Sequence, residues 1–445
     1  MNGAIAGALR EFLPAEALLP DSASASWPPG SVAPAAFVAP TSLTQTARLM
    51  ERASREGWRV LPAGLCTWLA GSGASEVDLV VSTRKLRSLT AYEPADLTFT
   101  ADAGIPWGVL HEATKTNGQW LPLDPPGYGQ GSLGALVATG VSGPLRHAYG
   151  APRDHVLGVT MVSGDGRILN WGGRVVKNVA GFDVTRLSTG SWGALGVITS
   201  VSARLFPIPE RDLTILVGAP SAEDLLAAAR GMALSPLPFS AVELLDPVEA
   251  VRPRLDSEAL GAALALRITG SEAQVREMEA RVVRELSGGT GGGEGPVLFL
   301  RDRESVGFHD ALSRWEDGIP LVLRLSTLPS QMAALLKEVR DLAPLMGLSA
   351  RESRVAAHVG VGVVRVGITP GPVEEDVLGA LARGLIELRG RLEMAGGSLT
   401  LSHGPRALVK QVGAWGETGP EAALMKGLRD VFDPAGILLP ERIVT

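Results

Sequence analysis

The chain has 445 residues, 45% hydrophobic and 20% charged, which predicts a folded protein of two or more domains. A net charge of −6 with no basic run argues against nucleic acid as a partner, and the single cysteine, Cys66, excludes intrachain disulfides and Cys-based zinc or iron–sulfur sites. No apolar run approaches the roughly 20 residues that span a bilayer. The N-terminal MNGAIAGALREF has no basic residue ahead of its apolar stretch, so no signal peptide and a cytoplasmic location are expected.

Residues 1–36 are rich in Ala, Pro and Ser and read as a short helix with an extended lead-in. Ser42 opens a helical stripe of Leu43, Ala47, Met50 and Ala53 that Gly57 stops. The strand WRVLP runs into the small-residue turn Ala63-Gly64-Leu65-Cys66-Thr67-Trp68, a geometry able to offer backbone N–H groups to an anion. A plain tight connection explains the same residues. VDLVVS reads as a strand, RKLRSLTAYE as a short helix or turn, LTFTADAG as a strand and IPWGVLHEATKTNG as a helix, a βαβ rhythm.

The stretch from Leu121 to Pro209 sets clusters of glycine against apolar runs, as a chain does where its backbone passes close to a large flat ligand. Within it, ALVATG reads as a small-residue helix and VLGVTMVSGDGRILNWGG as a hairpin turning on Gly164-Asp165-Gly166. DVTRLSTGSWGALG reads as a helix or turn feeding the strand GVITSVSARLF, and Pro207 with Pro209 closes the unit. From Asp212 onward strands and helices alternate, RVAAHVGVGVVRVGI reads as a strand pair, and SGGTGGGEG (287–295) as a flexible loop. A terminal helix ends at Val431. This half predicts an antiparallel sheet covered by helices.

Three segments in this order resemble the FAD-binding domain of the vanillyl-alcohol-oxidase (PCMH) type: the PAGLCT turn, the GSLGALVATGVSGPLRHAYGAPRDHVLG block, and FDVTRLSTGSWGALGVIT. GRVVKNVAGFDVTRL, with Lys177, Asn178, Ala180, Gly181, Phe182 and Asp183, and the closing DPAGILLPER are similar to the FAD-binding E subunits of bacterial glycolate oxidase. The resemblance implies an α+β chain: a PCMH-type domain of two α+β subdomains at 37–209, then an α+β cap and subunit-contact domain with an antiparallel sheet at 210–445. It implies FAD held by Pro62, Ala63, Gly64, Leu65, Cys66, Thr67 and Trp68 in the first loop. Gly131, Ser132, Leu133, Gly134, Ala138, Ser142, Gly143, Arg153 and Asp154 would follow in the second. Gly193, Gly196, Val197 and Ile198 would lie at the adenine end. Relatives that tether FAD use a histidine in the first loop or a cysteine in the second. Neither is present here, so the FAD is expected to be non-covalent. No Rossmann G-x-G-x-x-G turn competes with this reading.

Related 2-hydroxy-acid dehydrogenases carry H-x-G-D-G-N-x-H and a later E-H-G, which hold a metal near the substrate. Here the first reads His358-Val359-Gly360-Val361-Gly362-Val363-Val364-Arg365 and the second Ser402-His403-Gly404. One imidazole without a carboxylate holds a metal poorly, so no metal is expected. His358 then reads as an ordinary strand histidine. His403 is the candidate base, with a loop histidine as the plain alternative. Arg365 stands in an apolar strand and needs a partner: a structural carboxylate first, a substrate carboxylate or flavin phosphate otherwise. Arg324 and Arg354 pose the same question.

These features predict the FAD-binding subunit of a glycolate-oxidase-type complex, acting on glycolate or a similar short 2-hydroxy acid. A D-type FAD subunit and an iron–sulfur subunit would be its partners, with peripheral membrane association through the complex. The alternatives are a self-sufficient FAD-dependent 2-hydroxy-acid dehydrogenase and a structural subunit that has lost flavin.

Overall fold

The computed structural model describes residues 2–20, 33–68, 76–127, 129–173, 183–247, 261–287, 295–345, 353–369, 375–416, 419 and 421–438. Residues 174–182 of the GRVVKNVAGFDVTRL segment, most of the SGGTGGGEG loop and the last seven residues lie outside that set.

The first half runs α1 (Asn2–Phe12), β1 (Ala36–Val38), α2 (Leu43–Glu56), β2 (Val60–Ala63), β3 (Leu79–Ser82), β4 (Leu89–Glu93) and β5 (Thr98–Asp102). It continues through α3 (Trp107–Lys115), β6 (Gln119–Trp120), α4 (Leu133–Thr139), α5 (Arg146–Tyr149), β7 (Val156–Val162), β8 (Ile168–Gly172), α6 (Val184–Ser188), β9 (Val197–Arg204) and β10 (Phe206–Pro207). Helix α2 begins where Ser42 accepts a hydrogen bond from the Gln45 N–H and ends at Gly57 in the left-handed region (φ 68°). Its Leu49, Met50 and Ala53 are buried against β1, β2 and β3, which form a parallel sheet in the order β1-β3-β2. A second sheet, β4-β5-β9-β7-β8, packs Phe99, Val201 and Met161 against Trp107 and Leu110 of α3 and Leu133 and Leu136 of α4.

Two readings need correction here. RKLRSLTAYE supplies a strand, β4, whose Tyr92 lies opposite Phe99 on β5. The βαβ rhythm holds only in the small sheet. In the larger one β4–β5 and β7–β8 are hairpins, because their short connections cannot make the long crossover that parallel strands need.

The second half runs β11 (Arg211–Ala219), α7 (Ala222–Leu234), β12 (Ala241–Asp246), β13 (Ala262–Gly270), α8 (Glu272–Ser287), β14 (Val297–Arg301), α9 (Arg303–Ser313) and β15 (Leu321–Ser326). Then come α10 (Met332–Leu345), β16 (Ser353–His358), β17 (Val363–Ile368), α11 (Glu375–Met394), β18 (Ser398–His403), α12 (Arg406–Val412) and α13 (Ala422–Phe432). The strands form one antiparallel sheet, β14-β11-β13-β12-β16-β17-β15-β18. Strand alternation sends Ile215, Leu264, Leu323 and Val366 to one face, under α7, α8, α10, α11 and α12. It sends Leu216, Ala265, Val322 and Ala356 to the other, under Phe308 and Leu312 of α9 and Trp315.

The terminal segment is two helices rather than one. Helix α12 stops at Gly413 (φ 73°), and the tail after α13 returns to the first half. There Phe432 joins the core beneath β5 and β9, and the Ile437 carbonyl accepts from the Val60 N–H at 2.8 Å. The halves also meet where the Gly127 N–H reaches the Ser313 carbonyl at 2.7 Å and Tyr149 Oη reaches Thr269 Oγ1 at 3.4 Å.

Candidate functional site

A cleft opens in the first half between the end of β2, helix α4 and the turn ahead of β9. It is lined by Pro62, Ala63, Gly64, Cys66, Thr67, Trp68, Gly134, Ala138, Gly193, Gly196, Val197 and Ile198, with Thr83, Ala135, Thr139 and Trp192 added. Three segments far apart in sequence therefore converge on one wall. Two hydrogen bonds fix the first loop to the second: Thr67 Oγ1 donates to the Gln130 carbonyl at 2.8 Å, and Trp68 Nε1 to the Pro126 carbonyl at 3.1 Å. Cys66 takes a left-handed backbone (φ 66°), as does Trp192 (φ 51°). A left-handed residue inside a turn is how successive N–H groups are brought to face one anion. The small side chains of Ala63, Ala135 and Ala138 leave the wall flat. Loop and wall together make a cleft bordered by glycine, alanine and two left-handed turn residues.

Some of the glycines also make room for packing. A Cβ on Gly131 would lie 2.5 Å from the Trp68 ring, and one on Gly134 would lie 2.6 Å from Ala103 Cβ. Leu65, Gly131, Ser132, Leu133, Ser142, Gly143, Arg153 and Asp154 do not line the cleft. Ser132 caps α4 by accepting from Ala135 N–H at 3.3 Å, Leu133 is buried in the core, and Asp154 accepts from Ala151 N–H at 2.8 Å. Gly143 lies against the Asp124 carbonyl, which a Cβ would meet at 2.0 Å.

The second half turns a row of polar side chains toward the first. Glu243 on β12 lies opposite His358 on β16, and their side chains meet at 2.5 Å with both residues buried. Burial raises the Glu243 carboxyl and lowers the His358 imidazole, so both favour their neutral forms; nearby Arg365, Arg324 and Arg146 reinforce the shift on His358. Arg365 on β17 donates from Nη1 to Glu316 Oε1 at 2.9 Å and stacks its guanidinium 5.2 Å from the Trp315 ring. Its Nε and Nη2 are buried without a hydrogen-bond partner among the described residues. Arg324, opposite Arg365 on β15, is lowered to about 10 by burial, with Arg146 and Arg365 adding repulsion. His403 ends β18 with Nδ1 buried and unpaired among the described residues; burial lowers its pKa, while Glu316 and Asp317 act against the shift. Glu316 thus pairs with Arg365, and its charge also acts on His403. Among the described residues no group of three or more His, Cys, Asp or Glu side chains is placed to hold a metal ion.

Sequence reasoning missed Glu243, Glu316 and Asp124. The signal for Glu243 was available, since a carboxylate inside the apolar strand SAVELL poses the same question as Arg365. Asp124 accepts from the Leu145 N–H at 3.0 Å and ties the loop after β6 to the loop before α5. Burial pushes its carboxyl up to about 7. No helix among the described residues is long and apolar enough to cross a membrane.

Comparison with known proteins agrees with this architecture. A family model for the FAD binding domain matches residues 34–172, and one for the C-terminal domain of FAD-linked oxidases matches residues 208–443. The chain belongs to the FAD-linked oxidase family, and its cofactor is FAD. Its sequence is 33% identical over 246 residues to glycolate oxidase subunit GlcE of Escherichia coli, covering 55% of this chain and 64% of that protein, just under two thirds of its length. It is 26% identical over 433 residues to D-2-hydroxyglutarate dehydrogenase of Xanthomonas citri pv. viticola, covering 94% and 90% of the two chains. It is 25% identical over 427 residues to glycolate oxidase subunit GlcD of Bacillus subtilis, covering 92% and 89%. A solved alkyldihydroxyacetonephosphate synthase shares the fold, with a TM-score of 0.70 at 16% identity over 98% of this chain and 84% of that one.

Proposed function

We propose that the chain is the FAD-binding subunit of a glycolate-oxidase-type complex, holding FAD non-covalently in the cleft between 62–68, α4 and the turn at 192–198. Pro62 to Trp68 would surround the pyrophosphate, and Gly193 to Ile198 the adenine end. Residues 37–209 would form the FAD-binding domain and 210–445 the cap and subunit-contact domain. The family's activities make a short 2-hydroxy acid the substrate class. A D-type FAD subunit and an iron–sulfur protein are the partners expected of such a complex, which would sit in the cytoplasm at the membrane face.

The observation that carries a relay or supporting role, rather than substrate oxidation by this chain alone, is the state of the polar row. Bound flavin supplies a two-electron acceptor. A 2-hydroxy acid beside it also needs a group for its carboxylate and a base for its hydroxyl proton. Here His358 is engaged by Glu243 and Arg365 by Glu316, so both residues at the motif positions already have partners. His403, His358 Nε2 and the unpaired N–H groups of Arg365 are what remains for a substrate among the described residues. Dye reduction by the purified chain with glycolate or D-lactate tests this. Turnover that needs added D-type and iron–sulfur subunits supports the subunit reading, and robust turnover by the chain alone overturns it.

A further inference from the structure

The turn ahead of β9 is tied to helix α4: the Gly190 N–H donates to the Val137 carbonyl at 3.0 Å, and the Trp192 N–H to the Ala138 carbonyl at 2.7 Å. Trp192 is half-buried and lines the cofactor cleft. Its backbone is left-handed (φ 51°), a region that is costly for a bulky residue. Such a residue keeps that conformation only where its surroundings over-determine it, and such positions gather at ligand clamps. One side of the turn rests on the cleft itself, since a Cβ on Gly193 would lie 3.1 Å from Pro62, another lining residue.

The other support comes from the second half. The Trp415 ring lies 4.7 Å from that of Trp192 at 69°, an edge-to-face pair. Trp415 stands in a bend after α12, and that segment is anchored twice. The Leu401 N–H of β18 donates to the Ala414 carbonyl at 2.9 Å. Arg389 of α11, a buried residue, donates from Nε to the Leu399 carbonyl at 3.1 Å, from Nη2 to the Gly413 carbonyl at 2.8 Å and from Nη1 to the Val412 carbonyl. Neither tryptophan ring joins the apolar cores formed by the described residues. Filling a core does not account for the pair: it joins an anchored segment of the cap to a turn that lines the cleft.

We propose that Trp415 is a positioning residue for FAD: through Trp192 it holds the left-handed turn in the shape that the cleft presents to the cofactor. This role rests on the cleft being the FAD site. Every residue lining the cleft lies between positions 62 and 198, so Trp415 acts through Trp192 and not by contact with the cofactor. Without that support the turn relaxes, and a cofactor that binds must first restore it. The loss therefore appears in FAD affinity more than in the fold.

The experiment titrates the full chain, stripped of FAD, with FAD by fluorescence. Trp415→Leu should raise the FAD Kd about tenfold, whereas Trp415→Phe, which keeps an aromatic edge, should stay within about twofold. In a Trp192→Gly background the left-handed turn costs little, so Trp415→Leu should there change Kd by less than about twofold. General damage to the fold would instead carry over into that background. Unchanged affinity in Trp415→Leu, or an equal loss beside Trp192→Gly, would overturn the proposal. A second readout needs no destabilised variant: the native chain should show an indole exciton couplet in far-ultraviolet circular dichroism that Trp415→Phe removes, and its absence overturns the pair in solution. Ala138→Trp, which fills the cleft, is measured alongside. If it alone lowers affinity, the cleft stands and the role of Trp415 falls; if it too leaves affinity unchanged, the cleft reading falls and this role with it.

Discussion

The cofactor cleft and the polar row of the cap sheet are both lined by residues brought from distant parts of the chain, but they differ in how their groups are engaged. The cleft is walled by glycine, alanine and backbone, with left-handed turns at Cys66 and Trp192 and few side chains that demand a partner. The polar row holds two internal pairs, Glu243 with His358 and Arg365 with Glu316, and leaves Arg365 Nε and Nη2, His358 Nε2 and His403 Nδ1 unmatched among the described residues. The pairs engage the two motif positions as structure, and the unmatched atoms are what a ligand or ordered water has to satisfy. The contrast separates binding flavin from oxidising a hydroxy acid, and four perturbations can break or sharpen it.

Filling the cleft should have the largest effect. Ala138→Trp places an indole where the wall is flat, and FAD affinity measured by flavin fluorescence should fall by more than about a thousandfold while the apo chain melts normally. Next comes the row. Arg365→Met leaves the Glu316 carboxylate buried with no counter-ion, which typically costs about 3–5 kcal/mol in denaturant unfolding, and Arg365→Met with Glu316→Met should recover most of it. Flavin binding should survive both. If instead Arg365→Met is stable and loses activity in the assembled complex, Arg365 belongs to a substrate site.

A smaller effect follows from Asp124. Its folded pKa of about 7 lies above its ordinary value of 3.8, so the folded chain holds this proton more tightly than the unfolded chain does. The stability it contributes is present below about pH 4 and lost as pH rises toward 7. Melting temperature should therefore drop by roughly a few degrees between pH 5 and pH 8, and Asp124→Asn should flatten that drop. The smallest effect should be His403→Gln, within about 0.5 kcal/mol in stability, since the residue is only partly buried. Flavin absorbance should be unchanged in that variant.

Much of this was legible in the sequence, for physical reasons. Helix α2 was marked by Ser42 and Gly57, and the hairpin β16–β17 by alternating apolar residues around Gly362, because capping and pleat are local properties. The strand β4 was not, since LTAYE is stabilised by Phe99 across the sheet rather than by its neighbours in sequence. The two-sheet division of the first half depends on connection lengths, which a βαβ rhythm conceals. In the site, the glycine clusters pointed to the right segments but for a mixed reason. Gly131 admits the Trp68 ring, and Gly134 admits Ala103 while also lining the cleft. The partners of Arg365 and His358 were out of reach, because Glu316 lies 49 residues and Glu243 115 residues away from them in sequence. Strand order brings Glu243 beside His358, and the turn between α9 and β15 brings Glu316 to Arg365.

The most direct test is anaerobic spectroscopy on the purified chain. After incubation with FAD and removal of the unbound flavin, the chain should retain the visible flavin band at one equivalent per chain, and glycolate or D-lactate should leave that band intact over minutes in the absence of partner subunits. No band on the desalted chain would contradict the cleft, and rapid bleaching by either acid would contradict the supporting role.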